Sequence, residues 1–330
     1  MGKAPFRGDA PIPFRWMLFL RILYRLPQGL LSRMTGRLAD RHLPPFLRGP
    51  VLRAFVRWAG VHSEEAERPP ADYPSLGEYF VRRLRPGVRR WPSDPGQLAS
   101  PVDGVVGAFG ILRSQQLLQA KGMPYTVEEL LTADAGALSR SGVDPSVFEG
   151  GWYITLYLSP RHYHRIHVPA NGQILRAESI PGSLFPVNEP ALRTVPRLFP
   201  RNERLVVWMD LDGAPLALVA VGAFNVGRIS VDFDPEWNGR GRRAGGRGVT
   251  NLPRGRGAGV REYHPPLSAL QGEGLAAFHL GSTVVLLRGP NPDGSVPSLH
   301  PGVRGGDEIR LGDPLLLRST EPGLESSPDN

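Results

Sequence analysis

The stretch Leu205-Val-Val-Trp-Met-Asp-Leu-Asp-Gly-Ala-Pro-Leu-Ala-Leu-Val-Ala-Val221 decides the architecture. Two runs of branched and aromatic residues, Leu205 to Leu211 and Pro215 to Val221, flank Asp212-Gly213, a pair suited to a tight turn whose central residues need positive φ. The spacing predicts a β-hairpin. Working outward, Trp152 to Leu158 reads as a strand bounded by Gly150-Gly151 and Pro160, and Ile229 to Phe233, Ala276 to Leu280 and Thr283 to Leu287 extend the series. Ser75-Leu-Gly-Glu78 has the spacing of a capping box opening a helix through about Leu84, which Pro86-Gly87 ends, and Thr126-Val-Glu-Glu129 opens a second short helix. No βαβ alternation appears, so the expected class is α+β, a mainly antiparallel β body with short helices. The 40 glycines and 35 prolines suit its many turns.

A chain of 330 residues, 41% hydrophobic, can bury one large core or two modest ones. The absence of cysteine excludes disulfides, thiolate metal sites and a Cys nucleophile. Lys and Arg exceed Asp and Glu by 8, and residues 1–60 carry eleven of the basic residues against Asp9 and Asp40 alone. Between those charges lie Phe14, Trp16, Met17, Leu18, Phe19, Leu20, Ile22, Leu23, Tyr24 and Leu26. At 100° per residue, Arg15, Arg21 and Arg25 occupy a wedge of about 120°, leaving a broad apolar face. That pattern predicts an amphipathic helix lying in a membrane interface, with packing on the protein's own core as the alternative. The longest apolar run, Trp16 to Leu20, is too short for a transmembrane span, and arginines interrupt what a signal peptide would need. Val51 to Trp58 repeats the pattern, with Arg53 and Arg57 one turn apart.

Polar, Pro-rich residues 61–74 suggest a boundary, which divides the chain into a basic amphipathic region (1–65), a β-rich body (66–320) and a disordered tail (321–330). Residues 238–261 mix arginine with glycine. Without aromatic stacking residues among the arginines, they read as a mobile surface loop and not as a nucleic-acid site.

Three segments carry candidate chemistry: Asp103 in Ser100-Pro-Val-Asp-Gly104, the histidines of Tyr157-Leu-Ser-Pro-Arg-His-Tyr-His-Arg-Ile-His-Val-Pro169, and Ser282 in Phe278-His-Leu-Gly-Ser-Thr283. An acid, an imidazole and a hydroxyl are what a buried serine needs to become a nucleophile. No Gly-x-Ser-x-Gly surrounds Ser282, and strand-forming residues flank it, which disfavours an exposed nucleophile elbow. A serine so placed can attack the carbonyl of its own preceding residue, and Gly281 tolerates the strained geometry. A serine hydrolase using Asp103, His167 and Ser282 on an external ester is the alternative. His162, His164 and His167 lack a nearby carboxylate to complete a metal-ligand set. If their segment stays extended, residues 164 and 167 face opposite sides, and Pro160 makes a turn plausible.

Together, Leu280-Gly-Ser-Thr283, Tyr163-His-Arg-Ile-His-Val-Pro169, Pro181-Gly-Ser-Leu-Phe-Pro-Val-Asn188 and Leu118-Gln-Ala-Lys-Gly122 resemble the phosphatidylserine decarboxylase family, over roughly residues 70–315. The resemblance implies that the chain cuts itself between Gly281 and Ser282, with Asp103 and His167 as partners, giving a larger β chain and a smaller α chain. Ser282 would become a covalent pyruvoyl group, taking the electron-sink role of pyridoxal phosphate with neither that cofactor nor a metal. His164 would serve decarboxylation of phosphatidylserine to phosphatidylethanolamine. The implied setting is peripheral, on the cytoplasmic face of an anionic inner membrane; assembly into a homo-oligomer is left open.

Overall fold

The computed structural model describes residues 16–18, 22, 28–119, 123–132, 144–224, 228–239, 248–250, 259–279 and 282–317. Leu280, Gly281, most of the Arg/Gly segment and the tail 321–330 lie outside the described residues. Among the described residues fifteen strands run in chain order: β1 Gly104–Ile111, β2 Gln116–Leu118, β3 Pro124–Thr126, β4 Trp152–Leu158, β5 Arg165–His167, β6 Gly172–Ile180, β7 Arg204–Leu211, β8 Ala214–Gly222, β9 Ile229–Val231, β10 Val260–Ala269, β11 Gly274–Phe278, β12 Ser282–Arg288, β13 Ser298–Leu299, β14 Glu308–Ile309 and β15 Leu316–Leu317. Eight form one antiparallel sheet in the order β10-β6-β7-β8-β12-β4-β1-β14. A three-stranded sheet, β5-β11-β9, packs against it, and β2-β3 and β13-β15 are separate pairs.

The β7-β8 hairpin forms where the sequence places it. Asp212 and Gly213 take φ of 54° and 86°, and the Gly213 amide donates to Asp210 Oδ1 at 2.7 Å. β4 has the expected bounds. β9 is shorter than expected, because Phe233 has left the ladder. β1, β6 and β10 were not foreseen: β1 has three glycines that dilute the alternation, and β10 carries polar residues along an exposed edge.

Alternation along β7 and β12 builds two cores on opposite faces of the large sheet. Leu205, Val207, Met209, Val284 and Leu286 face a layer shared with Ile166, Ile229, Val231, Ala276 and Phe278 of the small sheet. Val206, Trp208, Val285 and Leu287 face the other way, toward Leu130, Leu192 and Phe199 on short helices. The helix Val127–Leu131 opens with the full reciprocal capping box between Thr126 and Glu129. At Ser75 only one half forms, with the hydroxyl accepting from the Glu78 amide at 3.1 Å, and the helix stops at Phe80, not Leu84.

The basic N-terminal region is anchored to the body. Helix Gln28–Ala39 offers Gln28 Oε1 to the Leu184 amide at 2.7 Å, and Asp40 at its end forms a buried ion pair with Arg228 at 2.7 Å. Gly77 permits that approach, since a Cβ there would lie 2.2 Å from Asp40 Oδ1. Of segment 238–261, residues 238–239, 248–250 and 259–261 are described: Asn238 bonds both the N–H and the C=O of Val231, the Val249 amide donates to the Ile229 carbonyl, and Val260 begins β10. Those partners hold residues that composition alone assigned to a mobile loop. Removing one member of a buried ion pair strands the other charge, so Asp40→Ala should lower unfolding free energy by about 3 kcal/mol in chemical denaturation. A change below about 0.5 kcal/mol would mean the helices are not part of the folded body.

Candidate active site

Ser282 is the first residue of β12, between β4 and β8, opposite Leu158 and Gly222. It is 1% exposed, and its Oγ has no hydrogen-bond partner. Alternation with Val284 and Leu286 turns its side chain into the layer between the two sheets. A buried hydroxyl without a partner is destabilising by about 1–3 kcal/mol, and such groups in native proteins cluster where chemistry needs them. Only three residues separate Ser282 from Phe278, the end of β11, so in chain order the Gly281–Ser282 bond falls between the small sheet and the large one. Gly281 itself lies outside the described residues.

The histidine segment turns at Ser159–His162, where the His162 amide donates to the Ser159 carbonyl at 3.0 Å. His162 closes that turn by accepting from the Ser159 amide at Nδ1 (3.0 Å). His164 is fully buried. Its carbonyl accepts from the Phe278 amide at 2.9 Å, and its ring stands 4.1 Å from Phe80. Its Nδ1 lies 2.8 Å from the His162 carbonyl, which can only accept, so Nδ1 carries the hydrogen and Nε2 is a bare lone pair. That Nε2 has no partner. His167 obeys the same logic: Nδ1 donates to the Gly272 carbonyl at 2.7 Å, leaving Nε2 to accept from the Tyr163 hydroxyl at 3.0 Å.

The two imidazoles therefore meet different surroundings. Ile166 of β5 points into the inter-sheet layer, whereas Arg165 and His167 line a cavity of about 670 Å³ on the outer face of the small sheet. Trp91 and Tyr163 stack around His167 there, at 6.3 and 5.6 Å between ring centroids. His164, one step before β5, keeps to the side of Ile166.

Asp103 sits immediately before β1. Arg89 grips it with Nε (3.0 Å) and Nη2 (2.5 Å), and the Leu311 amide donates to its Oδ1 at 2.8 Å. Glu65 braces Arg89 from behind at 2.7 Å. Burial opposes charge on Arg89, and the hydrogen bonds it donates to Asp103 and Glu65 overcome that effect, raising its pKa. No hydrogen bond joins Asp103 to His167 among the described contacts, but their backbones are close: the His167 amide donates to the Pro101 carbonyl at 2.9 Å. The Asp103 charge favours protonated His167 through space, the smallest of several influences on that ring.

Sequence reading did not find Arg89, Tyr163, Phe80 or the Gly272 carbonyl. Tyr163 lies inside the histidine motif and could have been noted there. Nothing local distinguishes Arg89 from its neighbours Arg82, Arg83, Arg85 and Arg90. The motif residue Gln119 has a structural part, donating to the Leu192 and Val195 carbonyls and accepting from the Leu198 amide.

A family model described as phosphatidylserine decarboxylase matches residues 76–317. The chain is 41% identical over 303 residues to a phosphatidylserine decarboxylase proenzyme of Anaeromyxobacter sp. (strain K), covering 90% of this chain and 97% of that one. Proenzymes of the same name from Alkalilimnicola ehrlichii and Methylococcus capsulatus are 36% and 34% identical, over 89% and 92% of this chain and 96% of each relative.

Burial, ahead of all other influences, lowers the pKa of four imidazoles: His162 to about 4, His164 and His279 well below the usual 6.5, and His167 more modestly. A folded pKa below the unfolded one means that the unfolded chain takes up protons first as pH falls. Stability should therefore be unaffected by these groups above pH 6.5 and drop below it, by about 1.4 kcal/mol per pH unit for each imidazole still neutral in the folded state. Urea midpoints measured from pH 8 to pH 4 should show this fall, and His162→Gln should make it shallower.

Proposed function

Because the chain belongs to the phosphatidylserine decarboxylase family, we propose that Ser282 is the residue consumed to make its catalytic carbonyl and that His164 and His167 divide the proton transfers. Decarboxylation of phosphatidylserine is the activity, and the hydrolase alternative loses its ground with family membership. The observation that carries the residue assignment is Ser282 at the head of a central strand, facing the layer between the sheets with a buried Oγ that has no hydrogen-bond partner.

In the proposed self-cleavage, an imidazole takes the Ser282 hydroxyl proton, Oγ adds to the Gly281 carbonyl, and the carbon–nitrogen bond breaks as nitrogen receives the proton. The peptide becomes an ester and residue 282 gains a free amine. Removal of the Ser282 Cα proton then expels the Gly281 carboxylate from Cβ, leaving dehydroalanine. Addition of water and loss of ammonia give a pyruvoyl group at the start of the smaller chain. A side chain whose hydroxyl holds no hydrogen bond suits this fate, since converting it breaks no side-chain contact, while the backbone pairing to β4 and β8 stays. When formed, the carbonyl supplies the electron sink for release of CO2.

His167, tethered beside Asp103 and holding its basic Nε2 against Tyr163, is the proposed base for cleavage. Asp103, fixed by Arg89 and Leu311, would act on it through charge. His164 would serve turnover: its Nε2 is an uncommitted lone pair, able to receive a proton from the lipid's ammonium group and return it to the carbon that loses CO2. One observation favours exchanging the two roles, because Ser282 and His164 both belong to the inter-sheet layer. Kinetics of the variants decide. His167→Ala should remain one unbroken chain on a denaturing gel, and His164→Ala should cleave fully yet lose at least about a hundredfold in kcat. The opposite pattern would assign cleavage to His164.

No helix among the described residues is long and apolar enough to cross a membrane. The N-terminal helices instead expose Leu38 (71%), Phe46 (75%) and Trp58 (78%) beside Arg33, Arg37, Arg41, Arg53 and Arg57. We infer a peripheral docking face for an anionic bilayer, on its cytoplasmic side, with the acyl chains left in the membrane. Leu38→Glu with Trp58→Glu should abolish cosedimentation with phosphatidylserine-containing vesicles while self-cleavage proceeds.

A further inference from the structure

Two buried arginines in this fold are treated very differently. Arg204, 2% exposed, donates to five carbonyls, those of Glu129, Leu130, Thr132, Pro200 and Asn202. Arg82, 4% exposed, has no partner at Nε or Nη1. Its guanidinium faces the Tyr79 ring at 5.2 Å and lines a second cavity, of about 250 Å³. A permanent charge buried without a counter-ion is destabilising by several kcal/mol, so a fold that retains one beside an open cavity is built to receive an anion there.

The cavity's position indicates which anion. Its floor is the outer face of the small sheet, with Arg165, Ser230, Ala277 and His279; Arg68 and Arg83 stand at its exposed rim, and of the carboxylates that also line it, Glu67, Glu78 and Asp232, the last is paired with Arg165. Ala277 lies in β11 and His279 follows that strand, three positions before Ser282; His279 Nδ1, like the Tyr73 hydroxyl in the same lining, is buried without a partner. The cavity shares Arg83, Arg165 and Asp232 with the larger one that His167 lines. Helix Leu76–Phe80 fixes both ends of the arrangement, since Phe80 contacts His164 and Arg82 follows two residues later. Glu78, Val81 and His279 also line the crevice where Asp40 joins the N-terminal helices to the body, the side from which a membrane lipid would arrive.

We propose that Arg82, with Arg83 at the rim, binds the phosphodiester of the phosphatidylserine headgroup. This subsite rests on the reading of the chain as a phosphatidylserine decarboxylase. The phosphodiester is the anion assigned, not the headgroup carboxylate, because a tight guanidinium–carboxylate pair would stabilise the ground state of the group that must leave as CO2. A phosphodiester keeps its charge throughout the reaction and accepts charge-assisted hydrogen bonds from a guanidinium.

The test uses purified, self-cleaved enzyme and phosphatidylserine in mixed detergent micelles. Arg82→Lys and Arg83→Gln should cleave completely, then show KM raised about tenfold or more with kcat within about twofold, the loss expected for one charge-assisted contact. Glycerophosphoserine and inorganic phosphate should inhibit the wild type competitively, and both variants about tenfold less. Inhibition by free serine but not by phosphate, or an unchanged KM in both variants, would overturn the subsite while leaving the decarboxylase reading intact. If Arg82→Lys does not fold, Arg83→Gln and the phosphate inhibition of the wild type decide the matter by the same outcomes. A wild-type protein that neither cleaves nor turns over lipid would instead refute the underlying reading.

Discussion

The whole arrangement depends on one hydroxyl being denied every hydrogen bond. Ser282 is closed in by β4 and β8 on either side and by the small sheet above, and nothing in that layer accepts its proton. The surrounding structure must offset the resulting loss of about 1–3 kcal/mol, and it does so with two extensive apolar cores on opposite faces of one sheet. A serine tied to a carbonyl would be more stable and less free to attack its own backbone.

The three-stranded sheet then acts as a partition. Its inner face gives Ile166, Ile229, Val231, Ala276 and Phe278 to the core that covers Ser282, and its outer face gives Arg165, His167, Ser230 and His279 to the cavities. One strand, β11, has cavity-lining Ala277 on one side and apolar packing on the other, and its end lies four positions before Ser282. Cleavage at the proposed Gly281–Ser282 bond would sever the covalent link between this strand and β12. This relation gives a physical route by which a group formed in the dry interior could meet a headgroup held outside it.

Much of this was legible in the sequence. The β7-β8 turn, β4 and the Thr126 cap followed from local chemistry that tertiary packing had no reason to override. The candidate residues Asp103, His164, His167 and Ser282 were visible as motifs, and so was the turn after Pro160. The clamp on Asp103 was not, because Arg89 and Glu65 meet it only through chain reversal and look locally like many other charges. Nor could a sequence reveal that Arg82 is buried with two of its nitrogens unpaired while Arg204 is saturated with carbonyls. β1 and β10 escaped notice for a related reason: glycines and exposed polar residues blur the two-residue period.

The central claim is most directly tested by the intact mass of the purified wild-type protein under denaturing conditions. Two species should appear, residues 1–281 and residues 282–330, and the second should be lighter by one ammonia than the same fragment beginning with serine. A single mass for the unbroken 330-residue chain, in a preparation that decarboxylates phosphatidylserine, would contradict the account.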